Sequence, residues 1–174
     1  MNVIRITRTD EPLFAPLREL YGRAFPRFEQ RTFEHQAKGL TADNYFLYAY
    51  QEEGAFIGFV AYWAFDDYIY IEHYAISDEV RGKGYGSRLL TELLSNTEKT
   101  VILEIDPVVD DVSTKRLSFY RGLGFVENGY SHVHPPYRAE FDGHALKVLS
   151  HGRALAPQEY QRFYQDLCGV VMAK

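Results

Sequence analysis

Arg81-Gly82-Lys83-Gly84-Tyr85-Gly86-Ser87 decides how the chain is read. Three glycines alternate where a strand pattern hands over to a helix pattern. Upstream, Tyr68 to Ile76 is a long run of aromatic and β-branched residues. Downstream, Leu89, Leu90, Leu93 and Leu94 recur at helical spacing. Glycine lacks a Cβ and accepts positive φ, so backbone N–H groups can converge closely on one point. A helix starting at about Gly84 adds unpaired donors and the positive end of its dipole. Arg81 and Lys83 add charge. Together these make an anion cradle, best suited to a phosphate or diphosphate.

Two phosphate-binding patterns do not fit. A Walker A loop needs glycine, four residues, then Gly-Lys-Ser/Thr, and the sequence has no such run. A dinucleotide fingerprint needs G-x-G-x-x-G; Gly82 and Gly84 open it, but the sixth position is Ser87. A tight glycine turn without a ligand is the competing reading.

Outward from this turn the chain reads as one domain over 1–174, with no repeat, charge block or Pro/Ser-rich linker. Val3 to Thr7 is a first strand. Leu13, Leu17, Leu20, Tyr21 and Ala24 form an apolar helical stripe, broken at Phe25-Pro26 because proline disfavours helix in the residue before it. A second helix is expected over Glu29 to Lys38, stopped by Gly39. Tyr45 to Tyr50 and Ala55 to Phe65 form a hairpin about Glu52-Glu53-Gly54, and Tyr68 to Ile76 follows. Thr100 to Ile105 is a buried strand. Asp110 or Asp111 caps a helix carrying Leu117, Tyr120 and Leu123, which ends near Gly122 or Gly124. Phe125 starts another strand. Tyr130 to Gly143 is turn-rich, His144 to Leu149 is the last strand, and a final helix opens at Pro157. The order predicts a mixed α/β sheet, an antiparallel meander followed by strands and helices in alternation, with helices on both faces.

In this context Arg81-Gly82-Lys83-Gly84-Tyr85-Gly86 resembles the acetyl-CoA loop of the GNAT superfamily of acyl-CoA-dependent N-acetyltransferases. His73-Tyr74-Ala75-Ile76-Ser77 is similar to that family's fourth strand. Phe119-Tyr120-Arg121-Gly122-Leu123-Gly124-Phe125 resembles its second hallmark, a tyrosine one turn before Gly-Phe. The resemblance covers Arg5 to Leu149 in element order and is specific over about Ile71 to Phe125. It implies a GNAT-like fold and acetyl-CoA as co-substrate, with no metal. It also implies a pantetheine arm paired with the backbone of Tyr74 and Ile76. The diphosphate would lie on Arg81, Gly82, Lys83, Gly84, Tyr85, Gly86 and Ser87. Where the family often has Asn and Ala, this chain has Ser113, which can still bond the cofactor, and Arg116.

Acyl transfer from a thioester to an amine needs four things: a held cofactor, a deprotonated ammonium, a polarised carbonyl and a protonated leaving thiolate. The resemblance makes Tyr120 the general acid; the bland reading is an amphipathic tyrosine in a helix stripe. Strand alternation puts Tyr70, Glu72 and Tyr74 on one face and Ile69, Ile71 and His73 on the other. Glu72 among aromatics is expected to have a raised pKa, as a base needs, with Glu104, a water, or His73 across a bulge as alternatives. Tyr137 and Arg138, stiffened by Pro135-Pro136, are expected beside the acceptor, in the same cleft as Glu72. His132, His134, His144 and His151 lack standard zinc spacing and read as loose surface histidines.

The chain has 174 residues, 46% hydrophobic and 25% charged, with a formal net charge of −5. Those values fit a soluble globular domain with a substantial core. One cysteine, Cys168, excludes an intrachain disulfide framework. Mild acidity argues against a nucleic-acid partner and weakly favours a cationic acceptor. No run reaches the roughly 18 apolar residues of a membrane span. The alternating start, Met1 to Arg8, lacks a signal peptide's apolar block. The expectation is a cytoplasmic enzyme, a possible homodimer, acting on a small-molecule or peptide amine. The reading from another class is a catalytically silent acyl-CoA-binding or regulatory module on the same fold.

Overall fold

The apolar runs alternate sides of a single sheet, and that alternation builds two cores. In the computed structural model, which describes residues 1–173, seven strands pair in the order β1-β2-β3-β4-β5-β9-β6. They are β1 (Asn2–Ile6), β2 (Tyr45–Glu52), β3 (Ala55–Ala64), β4 (Tyr68–Ile76), β5 (Thr100–Ile105), β6 (Phe125–Glu127) and β9 (Lys147–His151). A small separate sheet pairs β7 (Val133–His134) with β8 (His144–Ala145). Five helices complete the fold: α1 (Phe14–Ala24), α2 (Phe33–Gly39), α3 (Tyr85–Ser95), α4 (Asp111–Gly122) and α5 (Pro157–Asp166). Among the described residues no helix is long and apolar enough to cross a membrane.

One core packs Leu17, Leu20 and Tyr21 of α1 and Phe163 of α5 against Phe59, Trp63 and Tyr70. The other packs Leu89 and Leu90 of α3 and Leu117 of α4 against Ile69, Ile71 and Leu103. Fully burying one such side chain contributes about 1.5–3 kcal/mol. Leu17 and Leu20, one turn apart, therefore hold α1 on its face.

Two features of the sheet open a site. Among the described residues, strands β4 and β5 are the only parallel neighbours, and they pair only over Tyr68–Tyr70 against Thr100–Ile102. Beyond Tyr70 the pairing stops, while β5 continues along β9 on its other edge through Ile105. The second feature is a bulge. Ala61 lies opposite His73 and Tyr62 opposite Ile71, so Glu72 has no partner across the ladder.

That bulge corrects the expected facing. Tyr68 and Tyr70 point toward α1 and α5, whereas Ile69 and Ile71 point toward α3 and α4. Past Glu72 the phase shifts. His73 contacts Tyr21 of α1, and Tyr74 and Ile76 pack on the α3 side. Glu72 and Tyr74 therefore lie on opposite faces.

Two expected elements also differ. The helix expected from Glu29 begins at Phe33: Arg27–Glu29 is a 3₁₀ turn, Gln30 is extended, and the Thr32 side chain caps α2 by accepting from His35 N–H at 3.1 Å. The strand expected over His144–Leu149 is split at Leu146, whose N–H is taken by His132 C=O at 3.1 Å. One part joins the small sheet and the rest enters the main sheet.

Candidate active site

The divergence of β4 from β5 leaves a cleft of about 620 Å³. A second hollow, about 350 Å³, lies over the glycine turn and shares Ile76, Arg81 and Phe119 with the cleft. The two form one path from the turn to the point where the strands part. Along it, the β4 edge beyond Tyr70 has no strand beside it, so its backbone is open to a ligand.

At the turn the glycines serve two purposes. Gly82 and Gly84 sit at φ +81° and +78°, in the left-handed region. Gly84 is the N-cap of α3, and the first helical bond is from Arg88 N–H to Gly84 C=O. The N–H groups of Tyr85, Gly86 and Ser87 thus have no acceptor among the described residues, the usual state of a helix start. Gly86 is small for another reason: a Cβ there would lie 2.7 Å from the Tyr74 hydroxyl.

We therefore expect Gly86→Ala to cost about 1–2 kcal/mol through overpacking. In a Tyr74→Phe background the same change should gain about 0.5–1 kcal/mol from helix propensity. Denaturant unfolding of the four proteins measures this, and equal effects in both backgrounds would sink it. Arg81 pairs loosely with Asp78 at 3.4 Å in solvent. Tyr85 turns its hydroxyl away to Glu52.

Tyr120, on α4, lines the cleft. Its ring packs against Phe119 and Phe125 at 5.2 and 5.7 Å, and its hydroxyl has no hydrogen-bond partner among the described residues. Burial pushes its pKa up to about 12, against the Arg116 charge, so the phenol keeps its proton at neutral pH. Arg116 pairs with Asp106 at 2.9 Å at the cleft wall.

Ser113, expected at the cofactor, does not line the path. It is engaged in a capping box with Asp110. Its Oγ donates to Asp110 Oδ1 at 2.6 Å and accepts from Val109 N–H at 2.9 Å, and its own N–H bonds Asp110 Oδ1 at 2.8 Å.

Glu72 is not the raised carboxylate expected. Its side chain has no exposed surface, so it borders the cleft with backbone alone. Arg31 donates to both its oxygens, at 2.8 and 3.1 Å, and Trp63 and Tyr137 donate at 2.8 and 3.0 Å. Burial pushes its pKa up, but Arg31, His73 and these hydrogen bonds outweigh it and bring it to about 2. Glu104 borders the cleft with both oxygens engaged, by Tyr70 and His132. Burial again raises its pKa, yet His134 and His132, with the Tyr70 bond, leave it below the ordinary value.

Tyr137 lines the cleft, its ring 4.8 Å from that of His134. Arg138 does not. It donates to the Gln30 and Arg31 carbonyls at 3.1 and 3.3 Å and so ties the segment before α2 to the loop. His132 and His134 are buried, at 3% and 1% exposure, not loose on the surface. Among the described residues no group of three or more His, Cys, Asp or Glu is placed to hold a metal.

The site also holds residues that the sequence reading passed over. Phe28, Glu29 and His144 line the end of the cleft away from the glycine turn. Arg31 lies behind it. Glu29 and Arg31 fell inside the helix expected over Glu29 to Lys38, and His144 was read as a loose surface histidine.

The chain thus presents a sheet parted beside a strand–glycine turn–helix unit, with an unengaged phenol lining the cleft. The family model described as "Acetyltransferase (GNAT) family" matches residues 14–125, and the chain belongs to that family. It is similar to "Putative acetyltransferase YjbC" of Bacillus subtilis (strain 168), 39% identical over 59 residues, which is 33% of this chain and 30% of that protein. Among solved structures it is similar to "Putative acetyltransferase from GNAT family from Bacteroides thetaiotaomicron", with TM-score 0.91, 28% identity and 100% of both chains covered. The ribosomal-protein-S18-alanine N-acetyltransferase of Escherichia coli shares the fold, with TM-score 0.62, 19% identity, and 90% and 96% of the two chains covered.

Proposed function

We propose that the chain, as one domain, transfers an acetyl group from acetyl-CoA to a primary amine. The carrying observation is the continuous path from unpaired N–H groups at the α3 start, past the open β4 edge, to the unengaged Tyr120 hydroxyl. In this reading the diphosphate rests on the turn from Arg81 to Ser87, and the pantetheine arm runs beside Tyr74 and Ile76. Two proteins of this fold, from Elizabethkingia anophelis and an aminoglycoside 6'-N-acetyltransferase, were solved with acetyl-CoA and coenzyme A. That supports acetyl-CoA here without fixing the acceptor.

Tyr120 acts as the acid. When the C–S bond breaks, its phenol gives a proton to the leaving thiolate. Tyr120→Phe keeps the ring contacts and removes the donor, so turnover should fall on the order of 10²-fold. Acetyl-CoA affinity, read by calorimetry, should stay unchanged. Because the phenol's pKa is about 12, its ionisation adds no alkaline limb to the rate below pH 10. CoA release across a panel of primary amines tests the whole reading. Tight acetyl-CoA binding with no release for any amine would replace it with a silent acyl-CoA-binding module.

A further inference from the structure

Four carboxylates belong to the wall of the cleft, and three of them are occupied. Glu72 is sealed behind β4 by Arg31. Glu104 is held through both oxygens by Tyr70 and His132. Asp106 is paired with Arg116 at 2.9 Å. The fourth, Glu29, has neither an ion pair nor a side-chain hydrogen bond among the described residues, and it lines the cleft.

The backbone of Glu29 is nonetheless fixed. Pro26 holds the chain extended, Arg27–Glu29 makes one 3₁₀ turn, and the Glu29 carbonyl accepts the Nε2–H of His73 at 2.9 Å. His73 follows the bulged residue of β4, beside the open strand edge. A carboxylate without a partner is thus anchored next to the place where the proposed thioester arm would end.

We propose that Glu29 binds the ammonium of the acceptor and takes its proton. This rests on the acyl-transfer reading of the same cleft and goes further by assigning the base.

The surroundings suit a cation. Glu104 of β5 and Asp106 just after it act on Glu29 with like charge, and from α4 Arg116 opposes them. Lys115 of α4 lies farther along the cleft wall. From the small sheet come His134 and His144. The Nδ1–H of His134 is donated to Pro135 C=O at 2.6 Å, and its other ring nitrogen is Nε2. That Nε2 is buried without a partner, 4.0 Å from Glu104 Oε1. A buried ring nitrogen left without a partner beside Glu104 suits a polar ligand group. Phe28, His144, His134 and Tyr137 form a ladder of rings with centroid spacings of 5.1, 5.2 and 4.8 Å. That wall fits an apolar or aromatic carbon frame behind the ammonium.

Burial, with Asp106 and Glu104 nearby, raises the Glu29 pKa to about 7 despite Arg116. This is where a base working at neutral pH is most effective. The step balances as follows. R–NH₃⁺ gives one proton to the Glu29 carboxylate. The freed nitrogen pair attacks the thioester carbonyl carbon and forms the C–N bond. The tetrahedral intermediate expels the CoA thiolate, which takes a proton from Tyr120. The second nitrogen proton restores the Tyr120 phenol, and Glu29 releases its own proton to solvent.

Two measurements test this with the full chain. In the first, ¹³C NMR of glutamate-labelled protein follows the Glu29 carboxyl, identified by its loss in Glu29→Gln. A titration midpoint near 7 is expected, moving down by about one unit or more with saturating 2-phenylethylamine and not at all with 2-phenylethanol. The second is the pH profile of kcat/KM with acetyl-CoA and 2-phenylethylamine. Wild type should rise with pH and level near 7. Glu29→Gln should be on the order of 10²-fold lower at pH 7, lack the break near 7, and keep wild-type acetyl-CoA affinity.

An unmoved titration with the amine, or a break near 7 that survives in Glu29→Gln, overturns the assignment of Glu29 and leaves acyl transfer standing. A shifted titration without CoA release supports Glu29 as the ammonium site, and it is the acyl-transfer reading that then fails.

Discussion

Arg31→Ala is expected to cost about 3–5 kcal/mol of stability, the usual result of stranding one charge of a buried pair. For a chain of this size that lowers the melting temperature by roughly 6–20 °C. The Arg31 side chain is only 7% exposed and that of Glu72 is fully buried. Besides the two bonds to Glu72, Arg31 donates to Val171 C=O at 2.7 Å, and its backbone N–H donates to the Tyr21 hydroxyl at 2.7 Å. One residue thus joins the segment before α2, the bulge of β4 and the turn after α5. Removing the guanidinium leaves the carboxylate with Trp63 and Tyr137 as its remaining donors. Adding Glu72→Gln to Arg31→Ala removes the stranded charge and should restore part of the loss.

The pH dependence carries a sign that checks the cause. Glu72 has its pKa lowered from 4.5 to about 2 in the folded protein, so the unfolded chain binds more protons between those values. Its contribution is full above about 4.5 and is lost as pH falls toward 2. In Arg31→Ala the buried carboxylate has no cation, its pKa rises, and acidification should help rather than harm. Thermal unfolding from pH 3 to 7 reads both trends. A variant within about 1 kcal/mol of wild type, or one with the wild-type acid profile, would show that the pair does not hold this face together.

Gly84→Val is expected to weaken acetyl-CoA binding about 10³-fold. Gly84 sits at φ +78° with open space where a Cβ would go. Valine there is strained by about 1–2 kcal/mol, and its methyls fill the approach to the N–H groups of Tyr85, Gly86 and Ser87. Hydrogen bonds to a charged group contribute about 1.5–3 kcal/mol each, so losing two or three accounts for about 4 kcal/mol, or 10³ in Kd. Calorimetry on a variant shown by circular dichroism to be folded gives the answer. Affinity unchanged from wild type would remove the turn as the diphosphate site. The wild-type response to Gly84→Ala should be smaller, since it adds one methyl without β-branching.

Much of the frame was legible because it is local. Tyr68–Ile76 and Thr100–Ile105 are bounded as strands by turn residues, and the structure places both over those same spans. The Leu89/Leu90 and Leu117 stripes name their helices, and Asp110 caps α4 as a short acidic side chain before a helix should. The Gly82–Gly84 turn follows from the need for positive φ. Tyr120 was singled out only through the family resemblance of Phe119 to Phe125, and the structure places it on α4 lining the cleft.

The electrostatics of the cleft were not local. One extra residue at Glu72 reversed the facing of everything after it on β4, and period-two alternation carries no sign of a bulge. Whether Glu72 titrates high or low depends on Arg31, 41 residues earlier in the chain. Ser113 looked like a ligand group and closes a helix cap. Arg138 looked like an anion clamp and binds two backbone carbonyls.

The sequence by itself determined the meander strands, the helices α1, α3 and α4 and the glycine turn, since each depends on φ/ψ preference and apolar period within about ten residues; the start of α2 and the split of the last strand did not follow from it. Only the tertiary structure decided which carboxylate is locked and which is left facing the cleft. A charge takes its proton affinity from burial and from neighbours in space. Arg31 neutralises Glu72, while burial, with Asp106 and Glu104 nearby, raises Glu29 to about 7. Those neighbours come from segments far apart in the chain.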